Sequence, residues 1–110
     1  MKTIDIKSDM PDRLEAGRRL SAIIREYRQK EKVIKIVHGY GSTGVGGTIK
    51  HALRKSLRNR KKKGEIKAFI PGEAFHQLMG FDEVISTYRH LLKGDSDYNR
   101  MNEGITYVIL

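Results

Sequence analysis

The sequence predicts an α/β fold, a two-layer sandwich in which a four-stranded mixed sheet carries two helices on one face. Three observations predict it. Short apolar runs alternate with segments of helical period in the order β-α-β-α-β, then a longer segment and a last strand, and such alternation calls for right-handed crossovers onto one sheet. The outer strands carry polar residues at alternate positions: Ile4 and Ile6 oppose Thr3, Asp5 and Lys7, and Ile66, Ala68 and Ile70 oppose Lys67. Strands covered on both faces would be apolar throughout, so helices are expected on one face only. At 110 residues the chain suffices for one core and not for two, giving a single domain over 2–110.

Each element has a local reason. Residues 2–7 alternate polar and apolar, as a half-buried strand does. Ser8 or Asp9 can cap the next element, and Pro11 suits a first helical turn. Ala16, Leu20, Ile23, Ile24 and Tyr27 then fall on one face of a helix expected to end near Lys32. Val33–Val37 is the most apolar strand and is expected to be central. A second helix is expected from about Thr48 to Arg60, with Ile49, Ala52, Leu53 and Leu57 as its apolar stripe. Gly64 ends the basic turn that follows, Glu65–Ile70 reads as the third strand, and Ile105–Leu110 as the last. Between them lies a segment, 71–102, with apolar residues for one or two helices broken at Gly80, and with a polar stretch from Asp95 to Glu103 that reads as mobile.

Composition excludes several classes. A hydrophobic fraction of 38% beside a charged fraction of 32% fits a globular protein with a well-solvated surface. No apolar run approaches the length of a membrane span, and the N-terminus has no apolar core of a secretory signal. Cysteine is absent, which removes disulfides and thiolate metal sites. A cytoplasmic location without membrane association is the default expectation.

The chemistry centres on the loop after the apolar strand, His38-Gly39-Tyr40-Gly41-Ser42-Thr43-Gly44-Val45-Gly46-Gly47, in which five of ten residues are glycine. Such a turn between strand and helix lets backbone approach a ligand and aims amide N–H groups at an anion. It also stands at the strand's C-terminal end, where open α/β sheets bind ligands. No Gly-Lys-Ser/Thr follows at the spacing of a Walker A loop, and the loop is not read as a dinucleotide fingerprint, so a small-molecule phosphate enzyme is a minority reading. His38 stands at the loop's entrance, either as a phosphate-contacting or acid–base group or as a strand-end histidine bonded to backbone. Tyr40 can stack on a base or cap the sheet. His51, His76 and His90 lack ligand spacing, so no metal site is read.

The net charge of +9 is concentrated. From Lys50 to Lys63 stand eight basic residues (Lys50, Arg54, Lys55, Arg58, Arg60, Lys61, Lys62, Lys63) and no acid. A run without interspersed acids gains nothing from i,i+4 pairing and repels itself, which a polyanion would relieve. A solvated helix face is the plainer alternative.

Taken together these residues resemble the small MutS-related (Smr) domain family. The marks are Ile4-Asp5-Ile6-Lys7 followed by Glu15-Ala16, the His38-Gly39-Tyr40-Gly41 signature with Ser42 and further glycines, the basic helix, and the closing Gly104–Leu110 strand. They cover roughly residues 2–70 and 103–110. The resemblance implies a βαβαββ domain similar to the C-terminal domain of the third bacterial translation initiation factor. It implies nucleic-acid binding and, in many members, nicking of DNA or RNA. By position, His38, Gly39 and Gly41 would face a phosphate, and Asp5 would match the acidic residue of the family's Leu-Asp-x-His motif. Lys7 stands where that motif has histidine, and lysine is a poor general base at neutral pH. The 71–102 segment is an insert relative to the family.

The expected sites are therefore His38, Asp5 and Lys7 for chemistry, and Gly39, Tyr40, Gly41, Ser42, Thr43, Lys50, Arg54, Arg58, Lys61, Lys62 and Lys63 for nucleic acid. The partner is nucleic acid, addressed through backbone and shape, and the insert is a candidate surface for a homodimer. The activity is either a nicking endonuclease, for which a divalent metal is a candidate cofactor, or an inactive binding module marked by Lys7.

Overall fold

The computed structural model describes residues 1–7, 12–39, 44–75 and 78–110, apart from the side chains of residues 13 and 44–48. The element order is β1 (Lys2–Asp5), α1 (Arg13–Tyr27), β2 (Val33–Val37), α2 (Gly44–Lys62), β3 (Ala68–Pro71), α3 (Asp82–Leu92) and β4 (Ile105–Ile109). The four strands form one mixed sheet in the order β1-β2-β4-β3. β1 runs parallel to β2, while β4 is antiparallel to both of its neighbours, β2 and β3. β2 is an inner strand, as its composition requires.

The two faces of the sheet separate cleanly by strand period. Ile34 and Ile36 of β2, Val108 of β4 and Phe69 of β3 meet Ala16, Leu20 and Ile24 of α1 and Ile49, Leu53 and Leu57 of α2. These are the expected apolar stripes, and they form the two-layer core. On the other face, Val33, Ala68, Ile70, Ile105, Tyr107 and Ile109 meet Ile85 and Leu92 of α3. The expectation of helices on one face alone is thus amended: the insert lays α3 over the second face. The physical reason lies in β4, which is buried throughout and turns Ile105, Tyr107 and Ile109 to the second face. Much of the insert that was a candidate surface for a homodimer, Ala74, Ile85 and Leu92 among it, is thus buried on the chain's own sheet, while Leu78 and Met79 stay exposed.

Local chemistry moves several boundaries. Ser8, Asp9 and Pro11 lie outside the described residues. The cap of α1 is Asp12, whose carboxylate accepts the Glu15 N–H at 2.8 Å. α1 ends at Tyr27, and the carbonyl of Tyr27 accepts from Lys30 and Glu31 in a closing turn. α2 starts at Gly44, so the later glycines of the loop belong to its first turn. β3 starts at Ala68 because residues 65–67 turn: Ile66 joins the helix-side cluster while Ala68 and Ile70 join the opposite one. Gly80, at φ +83°, turns the chain into α3.

The polar 95–103 stretch, expected to be mobile, is bound to the sheet by a buried lysine. Lys35 points to the α3 side, where its Nζ donates to Asp95 Oδ1 and Oδ2 at 3.1 and 3.0 Å and to Asp97 Oδ2 at 2.8 Å. Tyr107 donates its hydroxyl to Asp95 Oδ2 at 2.8 Å, and Asn102 donates to Asp97 Oδ1 at 2.9 Å. Burial works against the Lys35 charge, but the bonds to Asp97 and Asp95 outweigh it and raise its pKa. The lysine is thereby held as the cation of a satisfied internal network.

Candidate functional site

The C-terminal ends of β1 and β2 lie side by side, with Asp5 in register with Val37 and the Ile6 N–H donating to the Val37 carbonyl at 3.0 Å. This pairing brings Asp5, Lys7, His38 and Gly39 to one end of the sheet. Asp5 Oδ1 accepts the Lys7 N–H at 2.8 Å, a local turn that closes the strand. Gly39 has φ +86°, and a Cβ there would stand 3.8 Å from the Lys7 Cβ, so the Lys7 side chain runs beside the start of the loop. The expected contacts Tyr40, Gly41, Ser42 and Thr43 lie outside the described residues, as does His76.

The His38 side chain is turned into the interior. It follows Ile34 and Ile36 on the helix side of the sheet and is 1% exposed. Nδ1 lies 2.9 Å from the Gly39 carbonyl and Nε2 2.8 Å from Thr106 Oγ1. A carbonyl only accepts, so Nδ1 carries the proton and Nε2 accepts from the Thr106 hydroxyl, a tautomer assigned from the network. Thr106 Oγ1 in turn accepts from Arg54 Nε at 3.2 Å. Burial, with Arg54 and Lys50 nearby, lowers the His38 pKa to about 4, against which the Gly39 bond works. At neutral pH His38 is a neutral, doubly bonded imidazole. Of the two roles open to it, this geometry matches the strand-end histidine.

Arg54 lies deeper in the same network. It was expected at a phosphate; instead its guanidinium forms a buried two-pronged pair with Glu73, NH1 to Oε2 at 2.7 Å and NH2 to Oε1 at 2.8 Å, and NH2 also reaches the Ile105 carbonyl at 3.3 Å. Lys50 Nζ stands 3.6 Å from Glu73 Oε2. Burial pushes the Glu73 carboxyl up, yet the Arg54 bonds and nearby Lys50 hold it below its ordinary value. Glu73 reaches this position because Gly72 precedes it. A Cβ at Gly72 would run into the Asn102 carbonyl and the Ile105 side chain, so only glycine passes there. Glu73 and Thr106 were not among the expected site residues. The signal was present in Pro71-Gly72-Glu73 at a strand end, but nothing in the sequence pairs it with Arg54.

The rest of the basic run faces solvent. His51, Lys55, Arg58 and Lys62 are exposed and follow one another at steps of four, three and four, which aligns them along one face of α2. Lys61 and Lys63 are exposed beside Lys62. None of Lys55, Arg58, Lys61, Lys62 or Lys63 forms an ion pair among the described residues, whereas Arg60 is held by Glu65 at 3.1 Å and by Ser21 at 2.6 Å. Cations in a last helical turn also complement the helix dipole. α2 has 19 residues and is therefore about 28 Å long. The glycine loop and the lysine cluster stand at its opposite ends and do not converge on one point. At the lysine end, Arg28, Lys30, Lys32 and Lys67 border a groove of about 510 Å³ that the sequence reading did not single out.

Gly39, Gly41 and Gly44 do keep the Gly-x-Gly-x-x-Gly spacing, so the loop cannot be set apart from a dinucleotide fingerprint by spacing. The surroundings set it apart: β4, antiparallel, lies between β2 and β3, and the carboxylate at the end of β3, Glu73, is bound to Arg54. Among the described residues, no three His, Asp or Glu side chains are grouped to hold a metal, and no helix is long and apolar enough to cross a membrane.

In comparisons with protein-family models, with curated proteins and with solved structures, nothing matches the chain.

Proposed function

We propose that this chain is a nucleic-acid-binding domain of Smr type that holds a sugar-phosphate backbone along the solvent face of α2 and does not cut it through His38. The observation that carries the reading is the exposed row His51, Lys55, Arg58 and Lys62, continued by Lys61 and Lys63, without acidic partners among the described residues. From residue 51 to 62 the row spans about 16 Å of helix. A ligand that reaches both this row and the loop at the other end of α2 must be long, which favours a polymer over a small anion. Point charges on a helix position a phosphate chain and read no bases, so binding is indifferent to sequence.

The non-cutting half of the proposal rests on His38. A general base must come within hydrogen-bond reach of the proton it removes, and both ring nitrogens are already engaged in the interior. Lys7, whose side chain runs beside Gly39, can hold a phosphate as a point charge. The Thr106–Arg54–Glu73 network then serves to fix β2, α2 and the start of the insert relative to one another.

The test uses supercoiled plasmid and structured RNA, each with and without divalent metal. Binding without strand scission is expected. Replacing Lys55 and Lys62 together by glutamate should weaken binding at least about tenfold for every sequence tried. Scission abolished by His38→Ala would overturn the non-cutting reading, and unchanged affinity in the double variant would overturn the location of the interface.

A further inference from the structure

We propose that the cleft between α2 and residues 78–81 receives an unpaired nucleotide of the bound strand, so that the domain prefers single-stranded to fully paired nucleic acid. The inference rests on the backbone-binding reading above and adds to it the form of nucleic acid that is bound.

The cleft measures about 290 Å³ and has two unlike walls. One is the side of α2 that carries the cation Arg58 and the imidazole of His51, with Lys50 turned to Glu73; the other is apolar, with Met79 and Phe81 beside the buried Phe69. His51 and Arg58 also belong to the exposed row, so the mouth of the cleft opens onto the path assigned to the phosphates. Glu73 borders the cleft as well, but its carboxylate is bound to Arg54. Phe81 is half-buried and packs edge-on against Phe69, with ring centres 5.5 Å apart. Met79 remains 38% exposed, and its neighbour Leu78 is fully exposed.

Phe69 is a core residue on which Phe81 packs; what backbone binding leaves without a role is the exposed part of Met79 and Phe81, because phosphates gain nothing from apolar side chains. An unpaired nucleotide supplies the complement: an apolar-faced base on one side and an anionic phosphate linked to it on the other. In a duplex the bases are stacked and paired, and none can enter. The volume lies just under the range of about 300–1,000 Å³ for drug-sized ligand sites, which suits one small planar group rather than a larger ligand. An acidic peptide with an apolar side chain would match the same charge pattern and is distinguished below.

The experiment measures affinity for a short oligonucleotide carrying one 2-aminopurine, as DNA and as RNA, single-stranded and fully paired. The wild-type chain is expected to bind the single strand at least about tenfold more tightly than the duplex and to change the fluorescence of the probe base. Met79→Ala, at a partly exposed position, and Phe81→Ala, each checked by its melting curve, should narrow that preference several-fold while leaving duplex affinity unchanged. Lys55→Glu with Lys62→Glu should weaken both forms alike. Equal affinity for the two forms, or a single-strand preference that survives both cleft variants, overturns this inference and leaves backbone binding standing. No binding to either form overturns both, as does binding of an acidic apolar peptide in place of either strand.

Discussion

His38 is the residue on which a reading of motif and a reading of environment part company. Its position after an apolar strand and before glycines is what a phosphate-facing histidine would have, and that much was legible. The strand period that turns its ring inward was legible too, since His38 continues the Ile34 and Ile36 face. What the sequence could not supply is Thr106, 68 residues away, whose hydroxyl receives the ring. The same holds for Glu73, whose partner Arg54 reads from sequence alone as one more cation in a basic run. Burial of a neutral imidazole makes a prediction with a definite sign. Between pH 6.5 and about 4 the unfolded chain protonates this histidine and the folded chain does not, so stability must fall as pH falls through that window. The loss is on the order of 3 kcal/mol. Urea midpoints at pH 7 and pH 4.5 should differ accordingly for the wild type, and much less for His38→Gln. An equal pH dependence in the two proteins would show that the imidazole is solvated.

At the level of elements, the periodic segments were the readable ones. The stripes of α1 and α2 and the bounds of β2 follow from apolar spacing alone, because each buries one face against the same sheet side. β3 was misphased for a physical reason. A turn at 65–67 changes which face its residues address, and alternation counted through a turn carries no meaning. The 95–103 stretch was misread because its polarity is internal: Asp95 and Asp97 answer Lys35, a charge inside the most apolar strand. A lysine there could have signalled a buried partner, since charges are rarely buried unpaired. Replacing Lys35 by methionine removes the cation from two carboxylates. Amide exchange across residues 95–104 should then accelerate by at least about tenfold, with smaller changes in β2 and β4. Uniform acceleration throughout the domain would mean that the stretch is not held as a separate unit.

Over the whole molecule, charge and shape divide the labour between the faces of the sheet. α3 and the 95–103 stretch close the second face with apolar and internally paired groups. α1 and α2 close the first, and the solvent side of α2 keeps its cations unpaired among the described residues. A net charge of +9 was visible at once, but its sum did not say which cations are free. Lys50 and Arg54 are bound inward to Glu73, and Arg60 to Glu65, so the usable set is smaller and lies farther along α2 than the basic run suggested. That set fixes a number. Five phosphate contacts, one each for Lys55, Arg58, Lys61, Lys62 and Lys63, would displace a matching number of counterions. The most direct measurement is the dependence of the binding constant on salt between 50 and 200 mM, plotted as log K against log concentration. The account predicts a slope of roughly −3 to −5, shallower for Lys55→Glu with Lys62→Glu; a slope near zero, or no binding at the lowest salt, would contradict it.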